Sequence, residues 1–211
     1  MQNQGDKKTT GRNGAAHWLA GLGDWIESPP PPSFLPPPPP LPEGAPGTPT
    51  YRLVMAQDTA RANQAFRPSG QPRQEKTFCN HAACFIARQT GIPLGPLTDS
   101  QGVPLLANQQ AANLAVKGSG YHQVSPADAQ ALADKGMTVL AVQPHAKHGH
   151  IATVRPDNTY FAPYEVRDLR GTGPVINQIG NHIGVFHESG AFLPHTPVKY
   201  YAPDHPGEPA R

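Results

Sequence analysis

Lys76-Thr77-Phe78-Cys79-Asn80-His81-Ala82-Ala83-Cys84-Phe85-Ile86-Ala87-Arg88-Gln89-Thr90-Gly91 is the stretch on which the reading of this chain turns. Thr77 is a residue type that caps helix starts, and Ala82, Ala83, Phe85 and Ile86 supply an apolar face. Gly91 followed by Pro93 ends the element. The spacing predicts a helix with Cys79 in its first turn and Cys84 in its interior. A helix start favours the thiolate, because unpaired amides and the helix dipole stabilise an anion there, so Cys79 is placed for reactivity. Cys84 is placed for packing. On a helix the two sulfurs leave different faces, and the Cα atoms lie beyond the roughly 7 Å that a disulfide tolerates, so a free thiol is expected.

Downstream, Pro93, Gly95, Pro96 and Gly102 mark a loop, and a second helix is expected from Pro104 to Lys117, closed by Gly118. A third has the strongest start signal in the chain: Ser125 as N-cap, Pro126 at the first helical position, Asp128 at the third, with Gly136 as its end. After Gly136 the period becomes strand-like. Strands are expected at residues 137–142, 150–154, 159–161, 174–180 and 198–201, with a turn at Pro156-Asp157-Asn158. Helices followed by a run of strands give an α+β class with an antiparallel sheet.

Upstream, residues 51–75 read as a linker containing an edge strand at Tyr51-Arg52-Leu53-Val54-Met55, and the domain proper is expected over 76–205. Residues 1–50 read as a disordered, proline-rich arm. Twelve of the 27 prolines fall between Pro29 and Pro49, and because proline lacks the amide proton and fixes φ, this run is expected to be a polyproline II spacer. Trp18, Leu22, Trp25 and Ile26 form one stripe on a short helix, either docking on the domain or serving as a recognition element for a partner or secretion apparatus.

A formal charge of +2 with scattered Lys and Arg leaves no basic stripe for nucleic acid. No apolar run approaches the roughly 18 residues of a membrane span, and the N-terminus lacks the pattern of a secretory signal peptide.

A reactive thiol needs a base held on another element. About seventy residues after Cys79, Gly149-His150 opens the apolar run Ile151-Ala152-Thr153-Val154. Gly149 gives open backbone on one side of a histidine fixed at a strand mouth, which selects His150 among ten histidines; His148 is its rival. His81 points about 200° around the helix from Cys79. A third group orients the imidazole through its other nitrogen. Asn177, Gln178 and Asn181 are the candidates, and strand alternation allows only one of the first two to meet the histidine. Cys79, His81, Cys84, His145, His148 and His150 are metal-ligand types, but the cysteine spacing is not that of a zinc site, and neither metal nor cofactor is expected.

The order of Thr77-Phe78-Cys79-Asn80, Ala107-Asn108-Gln109-Gln110, Pro126 to Ala133, Gly149 to Val154 and Gly173 to Gly180 resembles the papain-like cell-wall peptidases, in particular their NlpC and CHAP branches, over roughly residues 75 to 202. The resemblance implies a papain-like fold, with helices packed on an antiparallel sheet. It implies a cysteine hydrolase cutting amide bonds of bacterial peptidoglycan, with Cys79 as nucleophile, His150 as base and Gln178 as third residue. Asn181 is a further candidate site residue, as are Asn80 and, from the spacing above, His148 and Asn177. The chain carries glutamine where the CHAP branch commonly has an acidic residue. An amidase-like domain behind a proline-rich arm is similar in design to antibacterial effectors delivered by type VI secretion into a rival's periplasm, with an immunity protein as a further partner; a phage lysis or tail-associated enzyme would also lack a signal peptide. A cysteine deamidase or protease acting on a target-cell protein, or a non-catalytic adaptor, are the other readings of the same residues.

Overall fold

A computed structural model describes residues 48–68, 77–157, 166–168 and 171–205. The arm through residue 47 and the strand expected at 159–161 lie outside the described residues. The fold is α+β. Its elements are α1 (Pro49–Ala62), α2 (Cys79–Thr90), α3 (Ala107–Leu114), β1 (Tyr121–Val124), α4 (Pro126–Asp134), β2 (Leu140–Gln143), β3 (His150–Val154), β4 (Val166–Asp168), β5 (Val175–Ile179), β6 (Ile183–His187), α5 (Glu188–Ala191) and β7 (Lys199–Pro203). Among the described residues the strands form one sheet in the order β1-β7-β2-β3-β5-β6-β4. Six are antiparallel neighbours, and β4 joins the edge parallel to β6.

Both faces of the sheet are covered. On one, α2 and α3 bury Cys79, Ala83, Cys84, Ala87, Ala111 and Leu114 against Leu140, Val142, Ile151 and Tyr201. On the other, Ala129 and Ala133 of α4, together with Phe192, pack on Ala141, Ala152, Val154, Ile176 and Tyr200. The alternation of β2 and β3 residues between these two clusters is the period-2 pattern of strands buried on both sides, which is why the sequence shows them as continuous apolar runs.

The expected edge strand at Tyr51–Met55 is instead part of helix α1, which replaces the expected linker up to residue 62. The signal was Thr48-Pro49 rather than the aromatic and β-branched residues after it. The Thr48 hydroxyl accepts from the Tyr51 amide at 3.2 Å, and Pro49 takes the first helical position. Buried Leu53, Val54, Ala56, Gln57 and Ala60 then fall on one helical face. Gln57 braces α1 on the sheet, its Nε2 donating to Thr153 Oγ1 at 3.1 Å and to Val154 O at 2.8 Å. Beside it Arg155 Nη1 donates to Asp58 Oδ1 at 2.7 Å.

Helix α3 is shorter than expected, starting at Ala107 after Leu106, whose amide donates to Gln109 Oε1 at 3.0 Å. Helix α4 follows its start signal closely: Ser125 Oγ accepts from the Asp128 amide at 3.1 Å. Gly136 stops it with φ 85°, and a Cβ there would lie 2.2 Å from the Thr50 nitrogen, so glycine is demanded both by conformation and by the approach of α1. Strands β1, β4 and β6 and the short α5 are the elements that local pattern left unread.

Candidate active site

Helix α2 opens at Cys79 itself, one residue later than a Thr77 cap implies. Phe78 occupies the N-cap position and makes no side-chain cap bond; its ring packs edge-on against His81, 5.7 Å between centroids. The first turn therefore keeps donors for another acceptor, and that acceptor is the Cys79 sulfur. It lies against the Asn80 amide of its own helix and the Ile151 amide of β3. The thiol and the His150 imidazole are near enough to act on each other's protonation.

His150 is the first residue of β3. Its Nε2 lies 2.7 Å from Gln178 Oε1, where an N–H donates to the amide oxygen, leaving Nδ1 for the thiol side. The register Thr153↔Asn177 and Val154↔Ile176 aligns β5 with β3, and alternation sends Gln178 to the face of Ile176 and Asn177 to the opposite one. Two further groups border the imidazole. The Phe192 ring lies 5.3 Å from it, tilted by 58°, and a Cβ at Gly180 would come within 3.1 Å of His150 Cε1.

Burial pushes the Cys79 thiol up. The hydrogen bond and positive charge of His150, with the Ile151 and Asn80 amides, outweigh that and leave it below its ordinary value. For His150, burial acts downward, but the Cys79 hydrogen bond and charge, helped by Gln178, raise the imidazole above its usual range. Each shift favours the charged form of its group, thiolate for Cys79 and imidazolium for His150. Cys84 differs: burial pushes its thiol up to about 12. Its sulfur accepts from Gln110 Nε2 at 3.3 Å and donates to Leu97 O at 3.5 Å. Both cysteines are free.

The other candidate residues do not join the group. His148 is exposed on the loop before β3, and Asn181 is exposed in the turn between β5 and β6. Asn177 is buried beside Thr153, and neither polar atom of its side chain has a hydrogen-bond partner among the described residues. The Asn80 side chain turns away to donate to Leu105 O at 2.8 Å, so only its amide reaches the sulfur. Among the described residues no three His, Cys, Asp or Glu side chains gather as a metal site.

Gly149 has a different role from the expected open backbone. A Cβ there would lie 2.2 Å from Asn108 Oδ1, and the Asn108 amide brackets His145, donating to its carbonyl at 2.8 Å and accepting from its amide at 3.2 Å. Glycine is needed so that α3 can clamp the loop feeding His150. Sequence reasoning missed Asn108 in this role, as well as Phe192, Gly180 and the Ile151 amide, all of which depend on long-range register. Two open clefts of about 450 and 430 Å³ run along α3, β1 and β7, and neither is lined by Cys79, His150 or Gln178.

No protein-family model and no curated protein matches this chain. No helix among the described residues is long and apolar enough to cross a membrane.

Proposed function

We propose that this protein is a cysteine amidase of papain-like type, with Cys79 as nucleophile, His150 as general base and acid, and Gln178 as the residue that orients the imidazole. The observation that carries this reading is the placement of Cys79 at the first position of α2 and of His150 at the first position of β3, with Gln178 Oε1 2.7 Å from the imidazole Nε2; the opposed shifts of thiol and imidazole support it. A structural cysteine in apolar surroundings shows the opposite shift, as Cys84 does.

In the proposed reaction the Cys79 proton resides on His150, and the thiolate attacks an amide carbonyl carbon. The carbonyl oxygen gathers negative charge near the backbone amides of the α2 start. The C–N bond breaks as the imidazolium protonates the leaving amine, giving a thioester on Cys79. Water, losing a proton to His150, adds to the thioester and releases the carboxylic acid, and the proton returns to the thiol. Gln178 Oε1 keeps the Nε2–H directed away from the thiol throughout, so the nitrogen facing Cys79 is the one that takes up and gives back the proton.

The proposed substrate is the stem peptide of bacterial peptidoglycan, and the proposed setting is a delivered lytic or effector enzyme acting in a target-cell periplasm. Support comes from the motif order quoted above and the α+β fold with a cysteine helix against a histidine strand. Purified sacculi incubated with the full chain are expected to release soluble muropeptides that a Cys79→Ala control does not. Periplasmic targeting is expected to lyse cells in a Cys79- and His150-dependent way. Absence of any product from sacculi, with the same chain hydrolysing a protein amide, would overturn the peptidoglycan assignment and keep the thiol chemistry.

A further inference from the structure

We infer that Gln143 is a positioning residue for the Cys79–His150 pair, acting through the Phe192–Thr196 strap that it staples beside the imidazole. The inference rests on the reading of that pair as the reactive centre. Gln143 and His150 are cross-strand partners at the loop end of the β2–β3 hairpin, so their side chains leave the same face of the sheet. Gln143 is 2% exposed and spends its whole amide on one segment. Its Nε2 donates to Leu193 O at 2.9 Å and to Thr196 O at 2.8 Å, while its Oε1 accepts from the Leu193 amide at 3.0 Å. No part of that amide is left to touch a substrate, so its effect is on position.

Three bonds from one buried side chain thus bracket residues 193–196. Inside the bracket His195 is held at φ 65°, the left-handed region, and it is the one non-glycine residue with positive φ among those described. Such a conformation persists only where the surroundings over-determine it. At the near end of the strap stands Phe192, buried, its amide donating to Glu188 O at 3.1 Å and its ring against His150. The imidazole is then bounded by Gln178 on Nε2, Gly180 along Cε1 and Phe192 beside the ring. In the proposed pair the remaining nitrogen, Nδ1, is the one that serves Cys79. Loosening the strap frees the ring to turn, and the thiolate loses its cation.

The test reads Cys79 directly, as the pH dependence of iodoacetamide alkylation of the full chain, followed at the Cys79 peptide by mass spectrometry. Gln143→Met keeps the volume and removes all three bonds; Phe192→Leu keeps an apolar contact, removes the aromatic wall and leaves the Gln143 bonds in place. In each variant, continued protection of Cys84 from alkylation reports that the fold is intact, and Phe192→Leu carries the test if Gln143→Met unfolds. The expected result is an upward shift of the alkylation midpoint by about one pH unit, a roughly tenfold loss of thiolate below the midpoint, with wild-type protection of Cys84. A wild-type midpoint in the folded variants would overturn the positioning role and leave the pair reading standing. A wild-type protein whose own midpoint lies at the ordinary thiol value would instead overturn the pair, and the inference with it.

Discussion

Cys79 and Cys84 sit on the same helix, both buried, and their thiols respond in opposite directions. Burial acts upward on each. What separates them is the set of groups around the sulfur. Cys79 has an imidazole and two backbone amides, and its thiolate is favoured. Cys84 has one side-chain amide donor from Gln110, and burial prevails. A lowered thiol value therefore goes neither with the helix nor with burial; it goes with the helix start, where amides are unpaired and where β3 brings a histidine and the Ile151 amide.

The contrast breaks most visibly if Cys79 proves dispensable. Cys79→Ala is expected to lower amide hydrolysis by roughly 10⁴- to 10⁶-fold, whereas Cys84→Ala should change the rate by less than about tenfold. Equal losses in the two variants, measured on the same substrate, would erase the distinction.

Next in size is the pH profile. The rate should rise as pH increases through the lowered Cys79 value, because the thiolate forms there. It should fall as pH increases through the raised His150 value, because the proton needed by the leaving amine is lost. The rising limb should therefore lie at lower pH than an ordinary thiol gives, and the falling limb at higher pH than an ordinary imidazole gives. In native protein at pH 8 the Cys84 thiolate is about one part in 10⁴. Alkylation is thus expected at Cys79 and not at Cys84; comparable labelling of both in folded protein would contradict the assigned environments.

Neighbours on β5 sharpen the same point at smaller scale. Gln178→Leu removes the acceptor at His150 Nε2 and is expected to cost about 10- to 100-fold in rate, the equivalent of a charge-assisted hydrogen bond of about 1.5–3 kcal/mol. Asn177→Leu, one residue away on the opposite face, replaces a buried amide without partners by an apolar side chain of similar size. It should leave the rate unchanged and hold or raise the melting temperature. A fall in stability of more than about 2 kcal/mol in Asn177→Leu, measured by denaturant titration, would show that this amide is satisfied in solution.

Much of this organisation was legible locally. Ser125-Pro126 set the start of α4, and Gly136 its end, because capping and left-handed turns depend on neighbours in the chain. The apolar run after Gly149 gave β3 with its limits, and the position of Cys79 in the first turn of α2 followed from Gly91, Pro93 and the apolar face of that helix. Residues 49–62 show where local reading went astray: Tyr51, Leu53 and Val54 have strand character, but the capping Thr48-Pro49 pair and the burial of one helical face prevail.

By itself, then, the sequence determined the α+β class, the helix start that carries Cys79 and the strand that carries His150, since these rest on periodicity and capping over a few residues. Tertiary structure alone decided the company of that histidine. Parity allowed either Gln178 or Asn177, and only the register of β5 against β3 selected Gln178. It also left His148 exposed on the loop before β3, put Asn108 where open backbone was expected beside Gly149, and brought Phe192 beside the His150 imidazole, with Gln143 as its cross-strand partner. The physical reason is that register and loop closure are settled by contacts between residues far apart in the chain, and no short window of sequence contains both partners.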